Sequence, residues 1–214
     1  MGDDLAKRAS GVPSEDGFDP LGVEKAHRRL VRARRALVEL RQARTWAEFE
    51  PAWSDFLLAS NAVYSILEQA AKSSPKGSPW FGRYKKERKD DPLLSYMHHA
   101  RNSDEHGVEP VAQDLPWMAG PFPESGHLVS VTIDNGKPTG GIFKGEGGQE
   151  TNLTFSPPRP NLVGVIDRRY GDRFAPPSAH LGNAITQGDP YSAGAALVAY
   201  LDGMVTSARA FPKT

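Results

Sequence analysis

Between Thr45 and Lys72 the apolar residues Trp46, Phe49, Trp53, Phe56, Leu57, Val63, Leu67 and Ala70 recur at the period of an α-helix. Large aromatics at that spacing build a core rather than a ligand box. Thr45 with Glu48 three residues on has the reciprocal pattern of a capping box, which fixes where this helix starts. The chain must therefore supply other elements to cover the stripe.

A helix over Val23–Ala43 comes first, with Ala26, Leu30, Ala33, Leu37 and Leu40 on one face. Lys25, Arg28, Arg29, Arg32 and Arg35 fall on a neighbouring face, either as a phosphate-binding stripe or, as we favour, as a solvated surface. After the second helix, Ser73–Pro79 (SSPKGSP) reads as a helix break. The connector WFGRYKKERKD then interleaves Arg83, Lys85 and Lys86 with Trp80, Phe81 and Tyr84. That pattern suits a single-stranded nucleic acid, whose bases stack while cations meet phosphates; a mobile charged loop is the alternative. Asp90 or Asp91 caps a third helix with Pro92 in its first turn. Leu93, Leu94, Met97 and Ala100 are its buried side, and Gly107 with Pro110 ends the region.

Beyond Pro110 the pattern becomes β-like. In HLVSVTID, Val129, Val131 and Ile133 alternate with Ser130 and Thr132 as in a half-buried strand, and Asp134-Asn135-Gly136 supplies a tight hairpin turn. Further strands are expected near 141–144, 152–155 and 162–169. GGIFKGEGG lacks the Gly-Lys-Ser/Thr ending of a phosphate loop, so its glycines serve turns. Asp189-Pro190 repeats the cap-plus-proline start, and Ala193, Leu197, Tyr200, Leu201, Met204, Val205 and Ala208 give the last helix its apolar face. The expected fold class is α+β: a disordered or extended segment over 1–22, then one domain over 23–214. Within it, three helices precede a β-hairpin-rich insertion at 111–188 and a closing helix at 189–210.

Charge and composition narrow the function classes. Lys plus Arg equal Asp plus Glu at 26 each, so any attraction to nucleic acid comes from local patches rather than from the whole molecule. Cysteine is absent, which excludes disulfides, thiolate zinc sites and a cysteine nucleophile. MGDDLAKRASG lacks the basic start and apolar run of a signal peptide, and AALVAYL is far shorter than the roughly 20 residues that span a bilayer. A cytoplasmic protein with no membrane partner is expected.

One stretch stands apart. HHARNSDEHG (His98–Gly107) holds three of the six histidines with Arg101 and Asn102. If His106 lies past a turn, Arg101 and His106 can face one groove, whereas one continuous helix would separate them by about 140°. Structurally neutral roles also exist, Arg101 pairing with Asp104 or Glu105 and His106 satisfying helix-end carbonyls. His98 and His99 stand about 100° apart and cannot jointly grip a metal, so they are expected to line the surface or groove and assist substrate. His27, His127 and His180 are expected to be structural.

RNSDEH (Arg101–His106) resembles the signature of the HEPN family: an arginine, a polar residue such as Asn directly after it, and a histidine four to six residues on. The resemblance covers about 23–110 and 189–210, and it implies an antiparallel helical bundle with the β-rich part inserted before the last helix. Two departures are the 111–188 insertion and the presence of Gly107 and Val108 where some toxin members carry a tyrosine. The family includes many toxin and antiphage-defence ribonucleases, so the resemblance implies a metal-independent endoribonuclease that uses no cofactor. Its catalytic residues would be Arg101, Asn102 and His106, with His98, His99, Arg83, Lys85 and Lys86 binding RNA. Histidine serves as base or acid near neutrality, and arginine presents a planar fork to phosphate. A homodimer would supply His106 twice, and an antitoxin protein joins RNA among the expected partners. The alternatives are a non-catalytic HEPN-like module for nucleotide or RNA binding or dimerisation, and a function carried by the β insertion on a helical scaffold.

Overall fold

The computed structural model describes residues 18–211. Residues 1–17 of the segment expected to be disordered or extended lie outside the described residues. The remainder of that expectation is corrected: Phe18 is buried against Trp80 and Phe211, and Pro20–Gly22 already belong to the first helix.

The helices are α1 (Pro20–Gln42), α2 (Trp46–Ala71), α3 (Gly77–Asp90), α4 (Pro92–His106) and α5 (Pro190–Arg209). The strands are β1 (Ala112–Leu115), β2 (Met118–Gly120), β3 (Gly126–Asp134), β4 (Lys137–Gly145), β5 (Glu150–Ser156), β6 (Arg159–Leu162), β7 (Val165–Ile166), β8 (Arg173–Phe174), β9 (Ala179–His180) and β10 (Asn183–Ala184). The fold is α+β. Among the described residues, 18–112 with 162–211 form one compact unit and 113–161 a second, so the separate β-rich unit is shorter than the expected 111–188 insertion. None of the described helices is long and apolar enough to cross a membrane.

In the helical unit, the expected apolar faces are the buried ones. Ala26, Leu30, Ala33 and Leu40 of α1 meet Phe49, Trp53, Phe56, Val63 and Leu67 of α2 in a single core. Near the start of α1 a Cβ added at Gly22 would stand 2.7 Å from the Cβ of Ala70, near the end of α2. Arg32 of α1 bonds Asp55 of α2, so the two helices run antiparallel. α5 runs antiparallel to α1, shown by the pairs Arg209–Glu24 and Arg34–Asp202. The Thr45 hydroxyl accepts the Glu48 N–H at 3.3 Å, but the Glu48 carboxylate accepts from Arg44 N–H at 2.7 Å rather than from Thr45 itself. The capping box is thus displaced by one residue.

The largest departure is α3, which occupies the stretch read as a helix break and connector. Pro79 is its third residue, where a missing N–H has no intrahelical partner to lose. Trp80, Phe81 and Tyr84 then share one face and pack on Phe18, Tyr64 and Tyr200. Among the described residues there are consequently four helices before the strands, not three.

In the β unit, β2-β5-β4-β3 form an antiparallel sheet. The β3–β4 turn has Asn135 at φ 49° and Gly136 at φ 75°, the expected positive-φ hairpin. The expectation of a half-buried β3 is corrected: it is an edge strand exposed at every position, with Ile133 65% and Val129 50% accessible. Alternation fixed the strand without fixing what covers it. The strand expected over 162–169 is also shorter, because Asp167 accepts the N–H groups of Arg169 and Tyr170 and turns the chain from β7 into β8.

Candidate functional site

α4 carries the motif. Asp91 caps it by accepting the Leu94 N–H at 2.9 Å, Pro92 opens its first turn, and Leu93, Leu94, Tyr96, Met97 and Ala100 turn inward. The Tyr96 hydroxyl donates to the Val163 carbonyl at 2.8 Å, with the Val111 carbonyl at 3.2 Å, fixing both segments against the helix. Asp91 is buried and also accepts the Leu181 N–H at 2.7 Å and pairs with His180 at 3.0 Å. Burial alone would raise its carboxyl, but the bonds from Leu181, His180 and Leu94 outweigh burial and hold it below the usual range.

The helix does not stop at Arg101. It continues to His106, where the Gly107 N–H closes on the Ser103 carbonyl at 2.7 Å. The turn that was to bring Arg101 and His106 together is therefore absent, and their departure directions differ by about 140°. One carboxylate nevertheless lies between their tips. Glu105 Oε2 pairs with Arg101 Nη2 and lies 3.5 Å from His106 Nε2. Arg101 also donates to Asn102 Oδ1 at 3.1 Å. His106 is largely exposed, whereas Arg101 is half-buried and its Nε reaches no partner. Asp104 instead accepts from Ser54 of α2 at 3.0 Å; burial raises its carboxyl, Ser54 opposes this and Glu105 adds to it.

Arg101 opens onto a groove of about 440 Å³ that also takes in Arg29 and Arg32 of α1 and Asn61 and Ser65 of α2. Of its three guanidinium groups, Arg32 pairs with Asp55 and Arg101 with Glu105. Most of the α1 stripe is internally paired, Arg28 with Glu24, Arg32 with Asp55 and Arg35 with Glu39, as a solvated surface would be.

The other expected substrate residues separate. Arg83, Lys85 and Lys86 lie exposed on α3, but Lys85 pairs with Glu68, and the aromatics between them face inward, so they offer no stacking platform. His99 stacks on Phe174 at 3.8 Å and pairs with Asp167 at 3.4 Å; burial, ahead of the opposing Asp167 charge, keeps its imidazolium disfavoured. His98 points elsewhere, into a cavity bounded by α2, α3, α4 and α5. Burial first, and then the charges of Arg88, His99 and Arg101, push it down to about 4, so it is neutral at physiological pH.

Sequence reasoning missed the partners of this cavity, Tyr64 and Arg88. Arg88 sits 4.1 Å over the Tyr64 ring, and that ring makes an edge contact with Phe81. Residues on four helices converge there, and no local spacing announces such a meeting. His180 was expected to be structural, and its bond to Asp91 spans 89 positions. Among the described residues no group of three His, Asp or Glu side chains is placed to hold a metal ion. Comparison with family models, with curated proteins and with solved structures yields no match, so the site is read from its own chemistry.

Proposed function

We propose that the helical unit is a HEPN-like, metal-independent endoribonuclease acting through Arg101, Asn102 and His106. The supporting observation is the sharing of one carboxylate oxygen by Arg101 and His106. Glu105 stands where a phosphate oxygen would, between a guanidinium fork and an exposed imidazole. A phosphodiester displacing Glu105 meets both groups, while Asn102 steadies the guanidinium. His106 then takes the ribose 2′-hydroxyl proton, and the 2′-oxygen attacks phosphorus. The 5′-oxygen leaves with a proton from a second His106 across a homodimer, and a 2′,3′-cyclic phosphate remains. Arg29 and Arg32 extend the groove along the RNA.

The pairing of Arg101 with Glu105 also favours a second reading, a non-catalytic module whose groove holds RNA or a nucleotide. Purified protein incubated with RNA separates them: 2′,3′-cyclic ends that persist in EDTA and vanish in His106→Ala support the nuclease. Tight RNA binding without cleavage supports the module. Growth arrest on overexpression, relieved by Arg101→Ala, would place the protein among toxin or antiphage effectors, with an antitoxin among its partners.

A further inference from the structure

We propose that the tip of the β7–β8 hairpin is a stacking site for an unpaired base of single-stranded RNA, with Tyr170 receiving the base and Arg169 and Arg173 the flanking phosphates. α3 offers no such platform, because its aromatics pack against the core. Tyr170 is the reverse case, a ring 68% exposed on a short turn between two paired strands. This site rests on RNA being the ligand, as in both readings above, and not on cleavage.

The turn is held in place although its side chains are exposed. The Asp167 N–H donates to the Asp172 carbonyl at 2.8 Å and the Gly171 N–H to the Asp167 carbonyl at 2.7 Å, and Gly171 takes φ 79° to close the turn. The Asp167 carboxylate accepts the Arg169 N–H at 2.8 Å and also pairs with His99 of α4, whose ring stacks on Phe174. Arg168 pairs with Glu109, whose Cα lies within about 11 Å of that of His106 by the reach of the chain. The hairpin therefore presents Tyr170 from a stem anchored beside the end of α4 that carries His106. A ring fixed on such a turn has little conformational freedom left to lose when a base stacks on it.

The charges on the turn suit a phosphate backbone. Asp167 is engaged by His99 and Arg168 by Glu109, and among the described residues Arg169, Arg173 and Asp172 have no ion-pair partner. All three are exposed, and the two guanidinium groups outnumber the one acid. Arg169 lies 5.2 Å from the centre of the Tyr170 ring. A cation there holds the ring while covering at most one of its two faces, which leaves the other open to a base. Duplex RNA has no unpaired base to offer that face, so the tip selects single strands. An acidic protein segment would meet the same arginines but brings no base to the ring.

The test follows binding of labelled 2′-O-methyl RNA to the full-length protein by fluorescence anisotropy; this RNA has no free 2′-hydroxyl and stays intact under the nuclease reading. A mixed-sequence single strand, a blunt duplex, an abasic strand and oligoglutamate are compared. Tyr170→Ala is expected to weaken single-strand binding about fivefold or more, with duplex and abasic-strand binding unchanged, and Tyr170→Trp to restore it. Replacing both Arg169→Gln and Arg173→Gln weakens the single strand and the abasic strand alike, and flattens the slope of log affinity against log salt by about 1.4. These side chains are exposed, so the variants keep the fold. No binding of the single strand, unaltered binding in Tyr170→Ala, an equal loss with the duplex or the abasic strand, or an equal dependence of oligoglutamate binding on Tyr170 would overturn the proposal. Cleavage of unmodified RNA is scored separately: its absence removes the nuclease reading, whereas the loss of Tyr170-dependent binding removes the stacking site.

Discussion

Arg101 pairs with Oε2 of Glu105, and His106 Nε2 lies 3.5 Å from the same oxygen on one continuous helix. Arg101 is one turn before Glu105 and His106 directly follows it, so a single carboxylate spans two side chains whose stems diverge. This geometry makes Glu105 a competitor of any phosphate at the site.

Replacing Glu105 is therefore informative. In Glu105→Gln the neutral amide still fits but no longer competes as an anion, and RNA affinity measured by fluorescence anisotropy should rise several-fold at low salt. Arg101→Ala should reduce it, and His106→Ala should reduce cleavage by about 10²–10⁴-fold with little change in binding. If Glu105→Gln binds RNA more weakly than wild type, the carboxylate is a partner of the substrate rather than its rival.

Asp91 unites the α4 cap with a hairpin 89 residues away. Asp91→Ala removes the cap and strands the Leu181 N–H and the His180 ring, so unfolding in urea should show a loss of about 3 kcal/mol. The pH dependence follows from its lowered carboxyl. The stabilisation is fully present above the unfolded-state value of 3.8 and is lost as pH falls through the lower folded value. Wild type should thus lose stability below about pH 4 more steeply than Asp91→Ala.

The contrast between α2 and α3 explains what the sequence made legible. In α2, eight apolar residues keep one period through seven turns, and neither register nor type is in doubt. In α3, Pro79 and two glycines occupy a 14-residue span, and only long-range contacts with Phe18, Tyr64 and Tyr200 justify burying its aromatics. Asp189 was legible as a cap, and the α4 cap as Asp90 or Asp91, because capping is local; the cap is Asp91. Strand β3 was legible in its turn and its alternation, but exposure depends on what else packs against a sheet. At the candidate site the order Arg101, Asn102, His106 was readable, whereas the helix continuing through it and the bridging role of Glu105 were matters of three-dimensional position.

Leu181 stores strain next to Asp91. It has φ 47°, is 54% exposed, and starts a two-residue turn completed by Gly182 at φ 80°. A left-handed leucine costs roughly 1 kcal/mol or more, while asparagine tolerates this conformation and suits the first position of such a turn. Leu181→Asn keeps the N–H that bonds Asp91 and should raise unfolding stability by about 1 kcal/mol. A decrease would mean that the leucine side chain is itself stabilising.

His98 and His99 predict a second pH window. Both are held neutral by burial, with the His98 value pushed to about 4 against 6.5 for a free histidine. Between those values the unfolded chain binds more protons than the folded one, so stability falls as pH drops from 6.5 towards 4. Asp167 favours the charged form of both rings and moderates the effect without reversing it. With partial solvent access taken into account, His98 alone should contribute roughly 2 kcal/mol to this fall. Urea unfolding at pH 7, 6, 5 and 4.5 should show a shallower decline in His98→Gln than in wild type. Equal slopes would mean that His98 is protonated in the folded protein, and its ring would then have to lie in water rather than against the aliphatic walls of the cavity.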